Sequence, residues 1–376
     1  MDFTLSPEQT LLKDSVERFV RERYPLNARR QLAASPSGYS EQHWRQMAEL
    51  GWLAVGLPEA YGGIGGSAVE TMVLMEAFGA GLVLEPYLPS VVLGGTLVTL
   101  AGSDAQQQAL LPALAAGHGK LAFAYAERQS GYDLFDVQTT ARRADGGYVL
   151  DGAKGVVLAA SSADTLIVSA RTAGDTRDRD GIGLFLLDPN APGVSLRGYA
   201  TVDGLRAAEL VLERAPVAAG AVLGDPGGAY AHIERAVQRA IAALCAEAVG
   251  AMDAVVRATR DYLNTREQFG RPIGSFQALQ HQFVDMHIAL EEARSMAIVA
   301  TLRVDEDDAR LRARTLAGAK HLIGKHGRMI GQRGVQLHGG MGMSEEMAVG
   351  HYFKRLTMID MMFGDHPWQL KRYADL

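Results

Sequence analysis

Two changes of hydrophobic period divide this chain, and they limit its fold more than any single motif does. Up to about residue 118 the apolar residues recur at helical spacing, as in Leu12, Val16, Phe19 and Val20. Ser6, then Pro7, then Gln9 three residues after the serine form a helix start with a capping box. Further helical patterning covers 41–50, 68–79 and 104–115. From about Leu121 short runs rich in Val, Leu, Thr and Tyr take over, at 125–133, 138–144, 148–150, 155–158, 165–170, 183–187 and 209–212. Gly, Asp, Asn and Pro separate them, which predicts an antiparallel β domain. The 175–180 stretch, where Asp and Arg alternate after Thr176, reads as an exposed hairpin tip. After Ala229 the helical pattern returns. The 240–266 stretch holds one glycine and no proline and is dense in alanine, so it reads as one long helix buried on more than one side. Gly270 and Gly274 bracket a break, and further helices are expected over 276–302, 309–330 and 349–359. The order helical, β, helical without βαβ alternation defines an α+β chain and excludes a Rossmann sheet. The expected domains are 1–118, 119–226 and 227–376.

A chain of 376 residues is long enough for two or three separate cores. Its net charge of −6 and the lack of a basic stripe argue against nucleic acid as a partner. The single cysteine, Cys245, cannot pair within the chain, which points to a reducing compartment. The N-terminus has no basic and then apolar export pattern. The most apolar stretch, 88–102, is interrupted by Ser90, Gly94, Gly95, Thr96 and Thr99, short of the roughly 18 apolar residues of a membrane helix. A cytoplasmic enzyme that does not span a membrane is therefore expected.

Several motifs fail on inspection. The glycines at 62, 63, 65 and 66 follow no strand–turn–helix unit and have no acidic residue at dinucleotide-binding distance. Gly324-Lys325 is followed by His326 rather than Ser or Thr, so no phosphate loop is present. There is no His-Glu-x-x-His pair, and one cysteine cannot build a structural zinc site, so no metal is expected. No Gly-x-Ser-x-Gly elbow occurs.

Two segments carry chemistry. Arg266-Glu267-Gln268-Phe269-Gly270 is followed by Phe276-Gln277, and Gln336-Leu337-His338-Gly339-Gly340 lies further on. An arginine at a helix end can pair bidentately with a pyrophosphate, and paired glycines let such a group approach the backbone. Either segment alone is equally well read as a helix terminator with a buried turn. Together with the domain order, they resemble the acyl-CoA dehydrogenase family, and the resemblance covers nearly the whole chain. It also includes Phe3-Thr4-Leu5-Ser6-Pro7-Glu8-Gln9, Leu50-Gly51-Trp52, Pro58-Glu59-Ala60-Tyr61-Gly62-Gly63 and Asp151-Gly152-Ala153-Lys154.

The resemblance implies an N-terminal helical domain, a middle antiparallel β domain and a C-terminal four-helix bundle. It implies FAD as cofactor and α,β-dehydrogenation of an acyl-CoA, with a buried glutamate removing the α-proton. It places the ADP half of FAD against Arg266, Phe269, Gln277, Gln336, Gly339 and Gly340, a clasp that reaches to a flavin held by a neighbouring subunit.

The chain departs from that family where the reaction occurs. Counting from Gly339-Gly340, the usual glutamate position is Phe363. The alternative position, 26 residues before Arg266, is Ala240, with Ile241 where an arginine is usual. Asp365 is the nearest carboxylate to the first position, with Glu247 and Asp360 as weaker candidates. The family's Thr-Glu-Pro-x-Ala-Gly-Ser-Asp flavin loop reads Ala126-Glu127-Arg128-Gln129-Ser130-Gly131-Tyr132-Asp133, and its Trp-Ile-Thr flavin wall reads Val156-Val157-Leu158. This pattern looks like the small subunit of two-component enzymes of the pimeloyl-CoA or steroid side-chain type, in lipid or steroid degradation. A second family member in a heterotetramer would then supply the flavin pocket and the glutamate. The alternatives are a self-sufficient homo-oligomer with a relocated base, and a non-enzymatic scaffold or binding protein.

Overall fold

The computed structural model describes residues 4–376, so Phe3 of the N-terminal segment lies outside the described residues. The N-terminal helices are α1 (Pro7–Arg23), α2 (Leu26–Ala34), α3 (Glu41–Glu49), α4 (Ala68–Gly81), α5 (Thr96–Ala101) and α6 (Asp104–Ala115). Ser6 caps α1 as its sequence dictates: its hydroxyl accepts the Gln9 backbone N–H at 3.2 Å, and Gln9 Oε1 accepts the Ser6 backbone N–H at 3.0 Å. The apolar 88–102 stretch is a buried π-helical run, Leu88–Gly95, that continues into α5. Among the described residues no helix is long and apolar enough to cross a membrane.

Eight strands follow: β1 (Leu121–Ala124), β2 (Thr140–Ala144), β3 (Gly147–Leu158), β4 (Thr165–Arg171), β5 (Ile182–Leu187), β6 (Val194–Ala200), β7 (Arg206–Ala218) and β8 (Val222–Leu223). The sheet order is β6-β7-β3-β2-β4-β5-β8, with β1 on β4. It is antiparallel except where β4 pairs with β1 and, at one position, with β2. Alternating inward residues such as Leu150, Leu166, Val168, Phe185, Leu210 and Leu212 form its core.

Two local expectations are corrected. The 125–133 run is a compact loop rather than a strand, because the Glu127 carboxylate accepts the backbone N–H groups of Gln138 and Thr139 at 2.8 and 3.0 Å. The 148–150 and 155–158 runs belong to one strand, β3, whose pairing with β7 shifts between Leu150 and Gly152 and again between Lys154 and Val157. The 175–180 stretch is the exposed tip of the β4–β5 hairpin, as expected, and is held in place by buried Arg171, which donates to the carbonyls of Thr176, Asp178 and Asp180 at 2.7 to 2.9 Å.

The C-terminal helices are α7 (Tyr230–Thr265), α8 (Gln277–Arg303), α9 (Ala309–Leu337), α10 (Ala348–Met361) and α11 (His366–Asp375). A short hairpin, β9 (Glu267–Gln268) and β10 (Arg271–Pro272), joins α7 to α8. By contacts the chain divides into two compact units. One contains Leu32–Ser67 and Leu84–Ala240, and the other contains Met1–Gln31, Ala68–Val83 and Ile241–Leu376. In the second unit α9 packs against α8, α10 and α11. There α4 and α7 meet backbone to backbone: a Cβ on Gly79 would lie 1.9 Å from the Glu247 carbonyl, and one on Gly250 1.8 Å from the Glu76 carbonyl. These glycines explain why an N-terminal helix belongs to the C-terminal unit.

Candidate active site and cofactor clasp

The Arg266 segment is built by the end of α7 and a two-residue hairpin turn. The Arg266 N–H closes the last helical turn on the Tyr262 carbonyl, and its own carbonyl accepts the Ile273 N–H, each at 2.8 Å. Between β9 and β10, Phe269 and Gly270 have φ of +56° and +78°, the left-handed pair that a type I′ turn requires. A phenylalanine there is strained, at a cost on the order of 1–3 kcal/mol. Its ring is nevertheless 89% exposed, with its edge to Phe276 at 6.0 Å. The Arg271 guanidinium covers Phe276 at 4.3 Å.

Gln277 opens α8, and Gln336 lies one residue before the end of α9, both exposed. Gly339 has φ +58°, and a Cβ at Gly339 or Gly340 would meet nothing within 4 Å. Packing within the chain therefore does not require glycine at 340, and the backbone there is open to an external group. The exposed Arg266 guanidinium has no ion-pair partner among the described residues. The Tyr262 and His338 rings stack at 4.5 Å, which brings the two segments together. An open backbone, an uncommitted guanidinium and an exposed aromatic face fit the ADP half of a dinucleotide cofactor.

Phe363 is 6% exposed and has φ +56°. Its carbonyl accepts from Gln369 Nε2 at 2.7 Å. Lys320 Nζ, fully buried, donates to the carbonyls of Asp360 and Gly364 at 2.8 and 3.0 Å and so fixes the turn. Burial pulls the Lys320 ammonium down to about 8, against the opposing effect of Cys245, Asp360 and Asp365. Ala240 and Ile241 are buried in α7.

The nearby carboxylates are all committed. Asp365 caps α11, accepting the Trp368 N–H at 3.0 Å. Asp360 accepts the His366 backbone N–H at 2.9 Å and approaches its ring Nδ1 at 3.0 Å. Glu247 is buried against Arg355, accepting from Nε at 2.6 Å and from a terminal nitrogen at 2.8 Å. Sequence reasoning missed Lys320 and Arg355. Lys320 had a signal, since it stands at helical spacing among Leu316, Ile323, Gly324 and Gly327, an otherwise apolar face.

In the other unit the flavin-loop residues form a knot. Glu127 pairs with buried Lys154 at 2.7 Å, and Lys154 also donates to the Ser169 hydroxyl at 3.1 Å. The Ala126 carbonyl accepts the Gly155 N–H at 2.8 Å. Val156 has φ +51° at the second β3 irregularity and is 49% exposed, whereas Val157 is buried. A β-branched residue on left-handed backbone is a genuine outlier. Ala126 and Val156 offer neither a hydroxyl donor nor an aromatic face, so these positions do not fit the isoalloxazine half as the clasp fits the ADP half.

The N-terminal, middle and C-terminal domain families of acyl-CoA dehydrogenases match residues 6–118, 122–215 and 227–375. A mitochondrial 2-methylacyl-CoA dehydrogenase from Solanum tuberosum is 30% identical over 96% of this chain and 88% of its own length. Among solved structures, a variant of the Tcur3481-Tcur3483 steroid ACAD superposes with a TM-score of 0.88 at 30% identity, covering 99% of this chain and 98% of that one. The ChsE4-ChsE5 complex from Mycobacterium tuberculosis gives 0.89 at 26% identity, covering 100% of this chain and 98% of its own. Fold and sequence thus define a flavoprotein oxidoreductase of helical–β–helical build. The chain belongs to the acyl-CoA dehydrogenase family, FAD-dependent enzymes that act on the CH–CH bond of acyl-CoA thioesters.

Proposed function

We propose that this chain is the subunit of a heteromeric acyl-CoA dehydrogenase that supplies the ADP-side clasp but no base. The observation that carries this reading is Phe363, a buried ring on left-handed backbone where the family's proton acceptor stands. Dehydrogenation requires a group that removes the α-proton, and a phenyl ring cannot do so. Ala240 leaves the second position equally empty. Glu247, Asp360 and Asp365 are held by Arg355, His366 and the α11 N-terminus. FAD, when bound, accepts the hydride that leaves the β-carbon. In this reading Arg266, Phe269, Gln277, Gln336, Gly339 and Gly340 bind and orient its ADP half, while a glutamate-bearing second family member holds the flavin and the acyl-CoA. The likeness to the ChsE4-ChsE5 complex and to Tcur3481-Tcur3483, each named for two chains, supports it. The steroid relative makes a steroid-derived acyl-CoA the first substrate to assay.

The test is flavin content and turnover of the chain alone and co-expressed with a glutamate-bearing family member. A colourless, inactive isolated chain and an active complex with one FAD for each pair of unlike chains are expected. A yellow homo-oligomer with one FAD for every chain and acyl-CoA turnover would overturn the reading.

A further inference from the structure

One ring pair joins the two halves of the clasp. Tyr262 lies four residues before Arg266 on α7, and His338 lies one residue before Gly339 at the end of α9. Their rings stack with centroids 4.5 Å apart and planes inclined by 25°. His338 is 2% exposed. Its Nδ1–H donates to the Gly334 carbonyl at 2.8 Å, which also accepts the His338 backbone N–H at 3.2 Å. With the proton on Nδ1, Nε2 is an acceptor, and it is buried without a partner. One turn earlier the helices are in close contact: a Cβ on Gly334 would lie 2.5 Å from Val255 Cγ1 and 3.2 Å from Val349. The ring stack thus extends a fixed helix contact outward to the exposed segments, where a Cβ on Gly270, Gly339 or Gly340 would meet nothing within 4 Å.

We propose that the Tyr262–His338 stack sets the spacing between Arg266 and the Gly339-Gly340 backbone, making His338 a positioning residue for the ADP half of FAD. The inference rests on the clasp reading above. The hydrogen bond to Gly334 fixes the plane of the imidazole, which a plain hydrocarbon ring in that place would leave to packing alone. The unpartnered Nε2 adds a condition, because protonating it creates a buried N–H with no acceptor. Burial lowers the basicity of the ring, the Gly334 carbonyl opposes that, and no charged side chain of α7, α9 or α10 contributes. The ring is therefore neutral at neutral pH, and acid disturbs the stack.

The experiment follows FAD release from the assembled complex by flavin fluorescence after dilution, at neutral pH and near pH 5, with thermal melting in parallel. Tyr262→Ala removes the stack and should speed release about three- to ten-fold, the span that an aromatic pair supports, with little change in melting. Tyr262→Leu serves the same purpose should the alanine variant not assemble. His338→Phe keeps the ring contact but not the Gly334 hydrogen bond, so it should release FAD faster than wild type at neutral pH, by less than Tyr262→Ala does, and should lose the acid acceleration expected of wild type. Arg266→Ala is the control for the clasp. If it speeds release while the Tyr262 variants release FAD at the wild-type rate, the clasp stands and the positioning role falls. The positioning role falls likewise if His338→Phe keeps the full acid response. Unchanged release in all variants, Arg266→Ala included, removes the clasp reading itself.

Discussion

Glu247 on α7 and Arg355 on α10 form a buried, two-pronged ion pair, with hydrogen bonds of 2.6 and 2.8 Å. A carboxylate held in this way is a cross-brace between helices, because both of its oxygens already accept from a permanent cation. Removing one partner of such a pair typically costs about 3–5 kcal/mol, since the other charge stays buried. Glu247→Gln should therefore lower the denaturation midpoint strongly.

Turnover by the folded complex should change only a few-fold in Glu247→Gln, and in Asp365→Asn as well, where asparagine still caps α11. Loss of a true general base costs ~10²–10⁴-fold, so steady-state kinetics normalised to folded protein separate the two cases.

The Arg266 guanidinium offers a charge-assisted contact and has no competing partner among the described residues. Arg266→Ala should weaken FAD retention in the complex by roughly 1.5–3 kcal/mol. Its melting without cofactor should be unchanged. Flavin occupancy after extensive dialysis is the measurement, and full occupancy contradicts the clasp.

Glu127 makes folding stability depend on acid. Burial raises its pKa, but the Lys154 ammonium at 2.7 Å and hydrogen bonds from Gln129 and Thr139 outweigh that and bring it to about 2 from an ordinary 4.5. Because the folded value is depressed, the stabilisation is complete above pH 4.5 and is lost as pH falls toward 2. Urea unfolding across that window should show the decline in wild type. Glu127→Gln should flatten it and should lower stability at neutral pH, because Lys154 is left buried without its counter-charge.

Phe363→Glu restores the family's residue but not its surroundings. The substitution keeps the left-handed backbone and replaces a buried ring with a carboxyl that has no partner provided for it. The isolated variant should be less stable than wild type and should show no acyl-CoA dehydrogenation. Measurable turnover by that single variant would mean that a working flavin site had been present in this chain alone.

The helices with strong local signals were legible from sequence. Ser6 with Gln9 announces α1, and the alanine-dense stretch announces α7, because both depend on neighbours in sequence. Strand β6 is hard to read from sequence because it is a half-exposed outer strand whose apolar alternation, Val194 and Leu196, lasts only four residues before Gly198 breaks it. Asp365 before Pro367 is readable as a helix cap and does cap α11, but the ten residues that follow are too few to show a helical period of their own. Of the site, the clasp segments and the empty base positions could be read as residue types at fixed spacing. The commitment of Glu247 could not, since its partner lies 108 residues further on. The ring pair was equally hidden: nothing local in Tyr262 or His338 announces the other.

The backbone-to-backbone crossing of α4 and α7 also has a consequence for synthesis. Helices α1 and α4 belong to a unit whose remaining residues begin at Ile241. On a ribosome, α4 cannot seat Gly79 until Glu247 has been made, a wait on the order of ten seconds or more at ordinary elongation rates. During that interval the Leu32–Ser67 and Leu84–Ala240 portion can complete itself, while α1 and α4 can pair only with each other and the α4 face that meets α7 stays uncovered. Stalling or truncation before α7 leaves the α1–α4 pair without the helix that covers it.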